Sequence, residues 1–298
     1  KEGDSQREDV AMFVDEARIT AQLEHPNIVP VHDLGVTEGT QITDLVEGTS
    51  VAGAVVVVGS GRCYEVANRV AEGGMGIVYE ASDQVSRRTV AMKVMSGKSG
   101  RAKNDLLKFI EEARITALLE HPNIIPVHDL GVTPEQSLFY TMKYVRGVTL
   151  TDIILGLRHG DEALIDQYPL SRLLNIFQKV CDAVAFAHSK GVVHRDLKPD
   201  NVMIGDFGEV LLMDWGLARF ATDAPPAVEQ EKMDNDPVVE ESLDGLARRV
   251  VGTPGFLAPE RIQNSLFPGD ERSDIYALGA TLYSMLTLRP PIAEKDLK

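Results

Sequence analysis

The chain has 298 residues, of which 44% are hydrophobic and 25% charged, a balance typical of a globular protein and not of a disordered or fibrous one. Its 45 acidic residues against 30 basic ones give a formal net charge of -15, which argues against non-specific binding to nucleic acid or to anionic membranes. The cysteines, Cys63 and Cys181, lie far apart and predict no disulfide framework, and no apolar run is long enough to span a bilayer.

The first predicted helix belongs to a duplicated segment. Residues 13–37, FVDEARITAQLEHPNIVPVHDLGVT, recur at 109–133 as FIEEARITALLEHPNIIPVHDLGVT, with four mild differences. Each copy predicts an amphipathic helix that ends at His-Pro-Asn and is followed by a short strand, because proline does not continue a helix. One interpretation is a relic of a partial duplication. The alternative is that the spare helix takes the place of its counterpart, within the chain or in a swapped dimer.

The next elements change from strand-like to helical along the chain. Residues 46–61 are rich in Gly, Ser and Val and predict a linker leading into a first strand, and short β-like runs from Tyr64 to Met95 predict a small antiparallel sheet. Helical periodicity then runs from Ser171 to Ser189 and from Asp274 to Leu286, with an acidic, proline-containing loop at 221–245 between them. Sheet first and helices afterwards predict an α+β fold in two lobes.

Two Asp-aromatic-Gly triplets lie close together in IGDFGEVLLMDWGLAR, residues 204–219. Asp206-Phe207-Gly208 stands between two short apolar runs and predicts a hairpin turn. Asp214-Trp215-Gly216 follows the second run, where a strand ends and a loop begins, a position that can face a cleft. Asp214 is therefore the better candidate for a functional carboxylate.

The segment VHRDLKPDN, residues 193–201, resembles the catalytic loop of the eukaryotic-type (Hanks-type) protein kinases. The sequences of the neighbouring motifs resemble those of the bacterial members of that family. Asp196, Asn201 and Asp214 stand at that family's spacings, with Trp215 in place of its phenylalanine. The resemblance extends from about Tyr64 to the C-terminus. It implies a two-lobed kinase-like fold, with an antiparallel sheet and one helix in the first lobe and a mainly helical second lobe.

The resemblance also implies roles for individual residues. The implied metal ligands for Mg²⁺ are Asn201 and Asp214, and Asp274 is expected to steady the backbone of the catalytic loop. The implied catalytic residues are Lys93, Glu112, Asp196, Lys198 and Asn201.

The implied ATP site begins with VAEGGMGIVYEA, which resembles a glycine-rich phosphate loop whose backbone N–H groups can approach phosphate oxygens. Its first family glycine is replaced by Ala71, a change that we expect to stiffen the loop and to raise the KM for nucleotide modestly. The implied nucleotide-contacting residues are Gly73, Gly74, Gly76, Val78, Ala91, Lys93, Met142, Tyr144, Val145 and Met203.

The function implied by the resemblance is ATP- and Mg²⁺-dependent phosphorylation of serine and threonine hydroxyls on proteins, including autophosphorylation, in signal transduction in a bacterial cytoplasm. The alternative is a catalytically weak or inactive nucleotide-binding scaffold, which Ala71, Trp215 and the duplication favour. Transfer to small molecules is disfavoured, because GTPGFLAPE at 252–260 resembles the part of the kinase activation segment that seats a peptide.

The expected organisation is a partial duplicate with its linker at 1–61 and a kinase domain at 62–298, with lobes at 62–145 and 146–298. We expect both ends to be cut, because the chain begins at Lys1 and the family's helical lobe continues beyond LTLRPPI. Arg195 beside Asp196 predicts control by negative charge on the activation segment. The acidic segment 221–245 is either a solvated loop, or its carboxylates take the place of a phosphate on the activation segment.

Overall fold

The computed structural model describes residues 54–57, 63–73, 76–96, 103–133, 137–221, 254–263, 267 and 269–292. These residues fall into two compact units, which divide between Val145 and Arg146, except that 121–124 belong to the second unit. The first copy of the duplicated segment, almost all of the acidic loop, and Gly74 lie outside the described residues.

The first unit is built on a six-stranded sheet in the order β1-β2-β3-β4-β6-β5, in which all neighbours are antiparallel. β1 lies within the segment predicted as a linker, so the sheet begins earlier than Tyr64. The elements of this unit are β1 (Ala54–Val57), β2 (Cys63–Glu72), β3 (Gly76–Asp83), β4 (Arg88–Met95), α1 (Lys103–Leu118), β5 (Val127–Val132) and β6 (Leu138–Lys143).

Side chains of this sheet are buried in two separate clusters, because successive residues of a strand point to opposite faces. On one face, Tyr64 is fully buried, packs edge-on against Phe139 and donates its hydroxyl to the carboxylate of Asp129 on β5. On the other face, Tyr140 packs against α1. A shift of β6 by one residue would exchange the two faces, so the register decides which side chain meets the helix.

The β3–β4 hairpin is closed by the buried carboxylate of Asp83. Its Oδ1 accepts the N–H groups of Val85 and Ser86, each at 3.0 Å, and its Oδ2 accepts the Ser86 hydroxyl at 2.6 Å. Burial alone would raise the pKa of Asp83, but these hydrogen bonds, together with the charge of Arg88, lower it.

The second unit is richer in helices and also contains a three-stranded sheet, β10-β9-β7, and the pair β8–β11. Short 3-10 turns cover Pro199–Asn201 and Pro254–Phe256. The other elements are β7 (Gly147–Thr149), α2 (Leu150–Arg158), α3 (Glu162–Gln167), α4 (Leu170–Ser189), β8 (Val192–Val193), β9 (Val202–Gly205), β10 (Val210–Leu212), β11 (Arg219–Phe220), α5 (Pro259–Gln263) and α6 (Glu271–Thr287).

Two helices of the second unit were predicted: α4 begins one residue before the predicted Ser171, whereas α6 begins three residues before the predicted Asp274 and ends one residue after Leu286. α2 starts with a capping box between Thr149 and Asp152, and α6 starts at Asp270, whose side chain accepts the N–H groups of the first turn. α4 ends just before Gly191, which has a φ of 71° that favours glycine. None of the helices in the described ranges is long and apolar enough to cross a bilayer.

The turn Asp206-Phe207-Gly208 joins the antiparallel strands β9 and β10, as predicted, and its Phe207 side chain is 98% exposed. This triplet therefore belongs to an open hairpin. The sheet-rich first unit and the helix-rich second unit confirm the predicted α+β class.

Candidate active site

In the first unit, Lys93 and Glu112 form the predicted ion pair. Lys93 lies on β4 and Glu112 on α1, and their Nζ and Oε1 atoms are 2.5 Å apart. The side chains are only 13% and 2% exposed, so the attraction is screened less than at the surface. The hydroxyl of Tyr140 on β6 donates to the same Oε1 at 2.7 Å, a contact that was not predicted.

The glycine-rich segment forms the β2–β3 connection. The N–H of Gly73 donates to the carbonyl oxygen of Gly76 at 2.9 Å, which closes this turn. At Gly76 a Cβ atom would lie 2.5 Å from the carbonyl oxygen of Val94, so only glycine allows β3 to approach β4 this closely. Val78 stands directly opposite Lys93 in the register.

The remaining first-unit residues of the implied nucleotide site lie on β4, β6 and just after β6. Ala91 is buried and pairs across the sheet with Met142, which is half-buried. Tyr144 is half-buried and Val145 buried, at the point where the first unit ends.

In the second unit, Asp196 is held by two of the predicted residues. The ammonium of Lys198 lies 2.8 Å from Asp196 Oδ2. The side-chain amide of Asn201 donates to the Asp196 carbonyl oxygen at 2.8 Å and to Oδ2 at 3.3 Å. The structure thus brings Asp196, Lys198 and Asn201 together, with the carboxylate orientation of Asp196 fixed by donors.

The buried carboxylate of Asp274, in the first turn of α6, supports this loop as predicted. Its Oδ2 and Oδ1 accept the backbone N–H groups of His194 and Arg195, each at 2.8 Å. The Oδ2 atom also contacts Nε2 of His188 at 2.9 Å.

Arg195 and Asp214 have left-handed backbone conformations, with φ values of 72° and 58°. Such conformations are costly for non-glycine residues and persist only where neighbours hold them. At Arg195, Asp274 holds the N–H, and Nη1 of Arg261 donates to the carbonyl oxygen at 2.5 Å. Burial lowers the pKa of Arg261, against the opposing charges of Asp274, Asp196 and Glu260.

His194 connects the catalytic loop to the triplet at 214–216. Its Nδ1 accepts the N–H of Asp196 at 3.3 Å, and its Nε2 donates to the carbonyl oxygen of Met213 at 3.2 Å. The ring of Trp215 packs against that of His194, with centroids 4.5 Å apart. Trp215 is buried, and its Nε1 has no hydrogen-bond partner within the described part of the chain.

The two implied magnesium ligands lie at the same end of the β9–β10 hairpin. The N–H of Met213 donates to the carbonyl oxygen of Asn201 at 2.8 Å, and Asp214 follows with its side chain exposed. Met203 is half-buried on β9, opposite Leu211. Among the described residues, no three His, Cys, Asp or Glu side chains cluster closely enough to hold a metal. The implied magnesium ligands are not a cluster of that kind, because only one of them, Asp214, is a carboxylate and the other, Asn201, is an amide.

Three residues that shape these clusters were not predicted: Tyr140, His188 and Arg261. Tyr140 could have been found from the pairing of β4 with β6, which places it directly opposite Lys93. His188 reaches Asp274 from 86 positions away, and Arg261 reaches Arg195 from 66. Contacts of that separation have no local signal in a single sequence.

The protein kinase domain model matches residues 64–298. The chain therefore belongs to the protein kinase family, as the motifs around Asp196 predicted.

Among curated proteins, the chain is similar to the serine/threonine-protein kinase PknD of Chlamydia felis (strain Fe/C-56), at 38% identity over 243 residues, which cover 79% of this chain and 25% of that protein. It is similar to the serine/threonine-protein kinase PknD of Protochlamydia amoebophila (strain UWE25), at 37% identity over 247 residues, 78% of this chain and 24% of that protein. The chain thus spans about a quarter of the length of these relatives. Their names agree with the predicted bacterial serine/threonine class.

Proposed function

We propose that this chain transfers the γ-phosphoryl group of ATP to serine and threonine hydroxyls of proteins, itself included, in a Mg²⁺-dependent reaction in a bacterial cytoplasm. The observation that carries the proposal is the arrangement around Asp196. A carboxylate bonded at Oδ2 by Lys198 and Asn201, on a loop fixed by Asp274, suits the orientation of a hydroxyl group.

Asp196 acts on the substrate hydroxyl, and Lys198 acts on the phosphoryl group that is transferred. Asp196 accepts or orients the proton of the substrate hydroxyl as its oxygen bonds to the γ-phosphorus and the bond to the ADP oxygen breaks. Lys198 neutralises charge on the moving phosphoryl group. Its ammonium already lies 2.8 Å from Asp196 Oδ2, so little reorganisation is needed.

Asn201 and Asp214 fit a magnesium ion chemically, since this cation prefers oxygen ligands. The Asn201 amide nitrogen donates to Asp196, which leaves the amide oxygen as its ligand atom. The exposed Asp214 follows Met213, whose backbone N–H donates to the carbonyl oxygen of Asn201. Magnesium held by these two residues would supply positive charge to the phosphates.

In the first unit, Lys93 binds the α- and β-phosphates and Glu112 orients it through the 2.5 Å ion pair. The backbone N–H groups of Gly73 and Gly76 approach the phosphates, and Ala91, Val78 and Met142 supply apolar contacts to the adenine. Tyr144 and Val145 complete that set.

The test is the transfer of labelled γ-phosphate from Mg·ATP to a generic basic protein and to the chain itself. Asp214→Ala is expected to abolish transfer. Asp206→Ala is the matched control, because it changes the same kind of Asp-aromatic-Gly triplet at the exposed hairpin turn. It should keep the wild-type rate, and phosphoamino-acid analysis should find label on serine and threonine.

Equal loss in both variants, or transfer that survives Asp214→Ala, would contradict the assignment of the metal ligand. Thermal stabilisation by nucleotide without any transfer would instead support the second candidate, a nucleotide-binding scaffold, which the Ala71 and Trp215 replacements favour.

We also propose that the duplicated segment promotes self-association. Deletion of residues 1–50 is expected to lower the number of chains per particle, obtained by dividing the mass measured in solution by the mass of one chain. An unchanged number of chains per particle would contradict this role.

A further inference from the structure

The register of the sheet places Tyr140 in direct contact with the lysine–glutamate pair. Tyr140 on β6 stands opposite Lys93 on β4, so both side chains project from the same face. α1 packs on that face and carries Glu112. Two neighbouring strands thus present one side chain each to a single carboxylate on the helix.

Three contacts fix the Tyr140 ring and hydroxyl. The ring lies 5.3 Å from that of Phe109, one helical turn before Glu112 on α1. The ammonium of Lys93 lies 5.7 Å from the ring centroid, within the range of cation–π attraction. The hydroxyl donates to Glu112 Oε1 at 2.7 Å, in surroundings where Tyr140 and Glu112 are only 4% and 2% exposed.

The hydrogen bonds of Glu112 are unevenly distributed between its two oxygens. Oε1 receives both Lys93 and Tyr140, whereas Oε2 is buried and has no hydrogen-bond partner among the residues that the structure describes. Tyr140 is therefore the donor that can keep Glu112 in place when Lys93 turns toward another anion. A hydrogen bond to a buried charge is stronger than one between neutral groups.

We propose that Tyr140 is a positioning residue, whose hydroxyl holds Glu112 and with it α1 against the sheet independently of Lys93. This proposal rests on the proposed function for its kinetic consequence, because it makes the orientation of Lys93 toward phosphates depend on a tyrosine hydroxyl. The occupancy of the Tyr140–Glu112 bond itself does not depend on whether the chain transfers phosphate.

A purely structural role predicts something different. A buried tyrosine hydroxyl needs a hydrogen-bond partner in any case. If Tyr140 had only this need, removing its hydroxyl would lower stability without affecting Glu112 in particular. Tyr64 provides the matched control. It is also buried in this sheet and donates to a carboxylate, that of Asp129, but it belongs to the cluster on the opposite face.

The experiment compares Tyr140→Phe with Tyr64→Phe, since each change removes one hydroxyl and keeps the ring. Hydrogen exchange measured by mass spectrometry reports the opening of α1 without requiring activity. We expect exchange in peptides covering 109–116 to be about tenfold faster in Tyr140→Phe, because a hydrogen bond to a charged group is lost. Tyr64→Phe should leave this exchange at the wild-type rate.

The kinetic arm measures kcat and KM for ATP in the same three proteins. Tyr140→Phe is expected to lower kcat/KM about tenfold, mainly through kcat, while Tyr64→Phe stays near wild type even if its melting temperature falls. If wild type itself transfers no phosphate, the proposed function fails, and hydrogen exchange still decides the role of Tyr140. Equal exchange of α1 in the two variants would overturn the positioning role, whatever the activities.

Discussion

Each unit contains one buried carboxylate that holds a predicted catalytic element, and the two are satisfied in different ways. Asp274 uses both oxygens and receives two backbone N–H groups and one imidazole. Within the part of the chain that the structure describes, Glu112 accepts hydrogen bonds at Oε1 alone, and both donors there are side chains. The two residues are almost equally buried, at 1% and 2% exposure, so burial does not explain the difference.

The source of the donors determines what each carboxylate can do. Backbone N–H groups cannot turn away, so Asp274 fixes the loop that carries Asp196 in one conformation. Side-chain donors can exchange one acceptor for another, so the pair with Glu112 is compatible with the proposed contact between Lys93 and phosphate.

Asp274→Asn should have the largest effect on stability. An amide replaces one of two accepting oxygens and presents N–H to a donor, so at least one charge-assisted bond is lost and a repulsion is added. We expect the free energy of unfolding to fall by about 3 kcal/mol. Urea denaturation followed by far-UV circular dichroism measures this change.

Asp166→Asn is the control for Asp274→Asn, since it makes the same change at an exposed position on α3 of the same unit. Its effect should stay within about 0.5 kcal/mol. If the two variants were equally stable, Asp274 would not be the support of the loop that its hydrogen bonds indicate.

Glu112→Gln should have an intermediate effect. The amide can keep its oxygen at the position of Oε1 and place its nitrogen where Oε2 has no partner among the described residues. Glu112 then loses its negative charge but keeps an oxygen for the donors Lys93 and Tyr140, for which we expect a loss of about 1 kcal/mol in the same urea titration. A cost as large as that of Asp274→Asn would remove the distinction between the two carboxylates.

Asp83→Asn should lower the free energy of unfolding least, although Asp83 resembles Asp274 in the donors that it uses. Asp83 lies in the first unit but, like Asp274, takes backbone N–H groups, those of Val85 and Ser86. The Ser86 hydroxyl can turn and accept from an amide, so we expect a loss of under about 1 kcal/mol at neutral pH.

The Asp83 variant should also change the pH dependence of stability. Burial raises the pKa of Asp83, but the hydrogen bonds from Ser86 and Val85 and the charge of Arg88 together lower it on folding. Its carboxylate therefore stabilises the fold above its unfolded pKa. That stabilisation is lost as the pH falls through the folded pKa. Unfolding titrations on the acid side should therefore bring wild type and Asp83→Asn together, and a gap that widened at low pH would contradict this sign.

Most of the architecture could be predicted from local patterns, because glycine and proline mark the end of α4 and of α6 to within one residue. The loop around Asp196 could be predicted from its resemblance to the protein kinase catalytic loop, and the amide of Asn201 does reach the backbone of Asp196. The role of Tyr140 could not be predicted in this way. LFYTMK is a continuous run in which either alternate set can face the helix, and only the pairing of Lys93 with Tyr140 decides between them.

The strand β1 and the support of Arg195 escaped prediction for related reasons. The segment around Ala54–Val57 has the composition of a linker, and its strand exists because β2 offers an edge to pair with. Arg261 follows Ala-Pro-Glu in the sequence, where an exposed helix residue is the ordinary expectation, yet its guanidinium is buried against the carbonyl oxygen of Arg195.

The Trp215 indole gives the molecule an optical property. The chain contains one tryptophan, so fluorescence excited at the red edge of the protein absorption band comes from this ring alone. The ring is buried against His194 and follows Asp214 directly, so a change in that segment alters the polarity and the quenching that it experiences. The proposed binding of nucleotide and of magnesium can therefore be tested through emission from the native protein, without an attached dye.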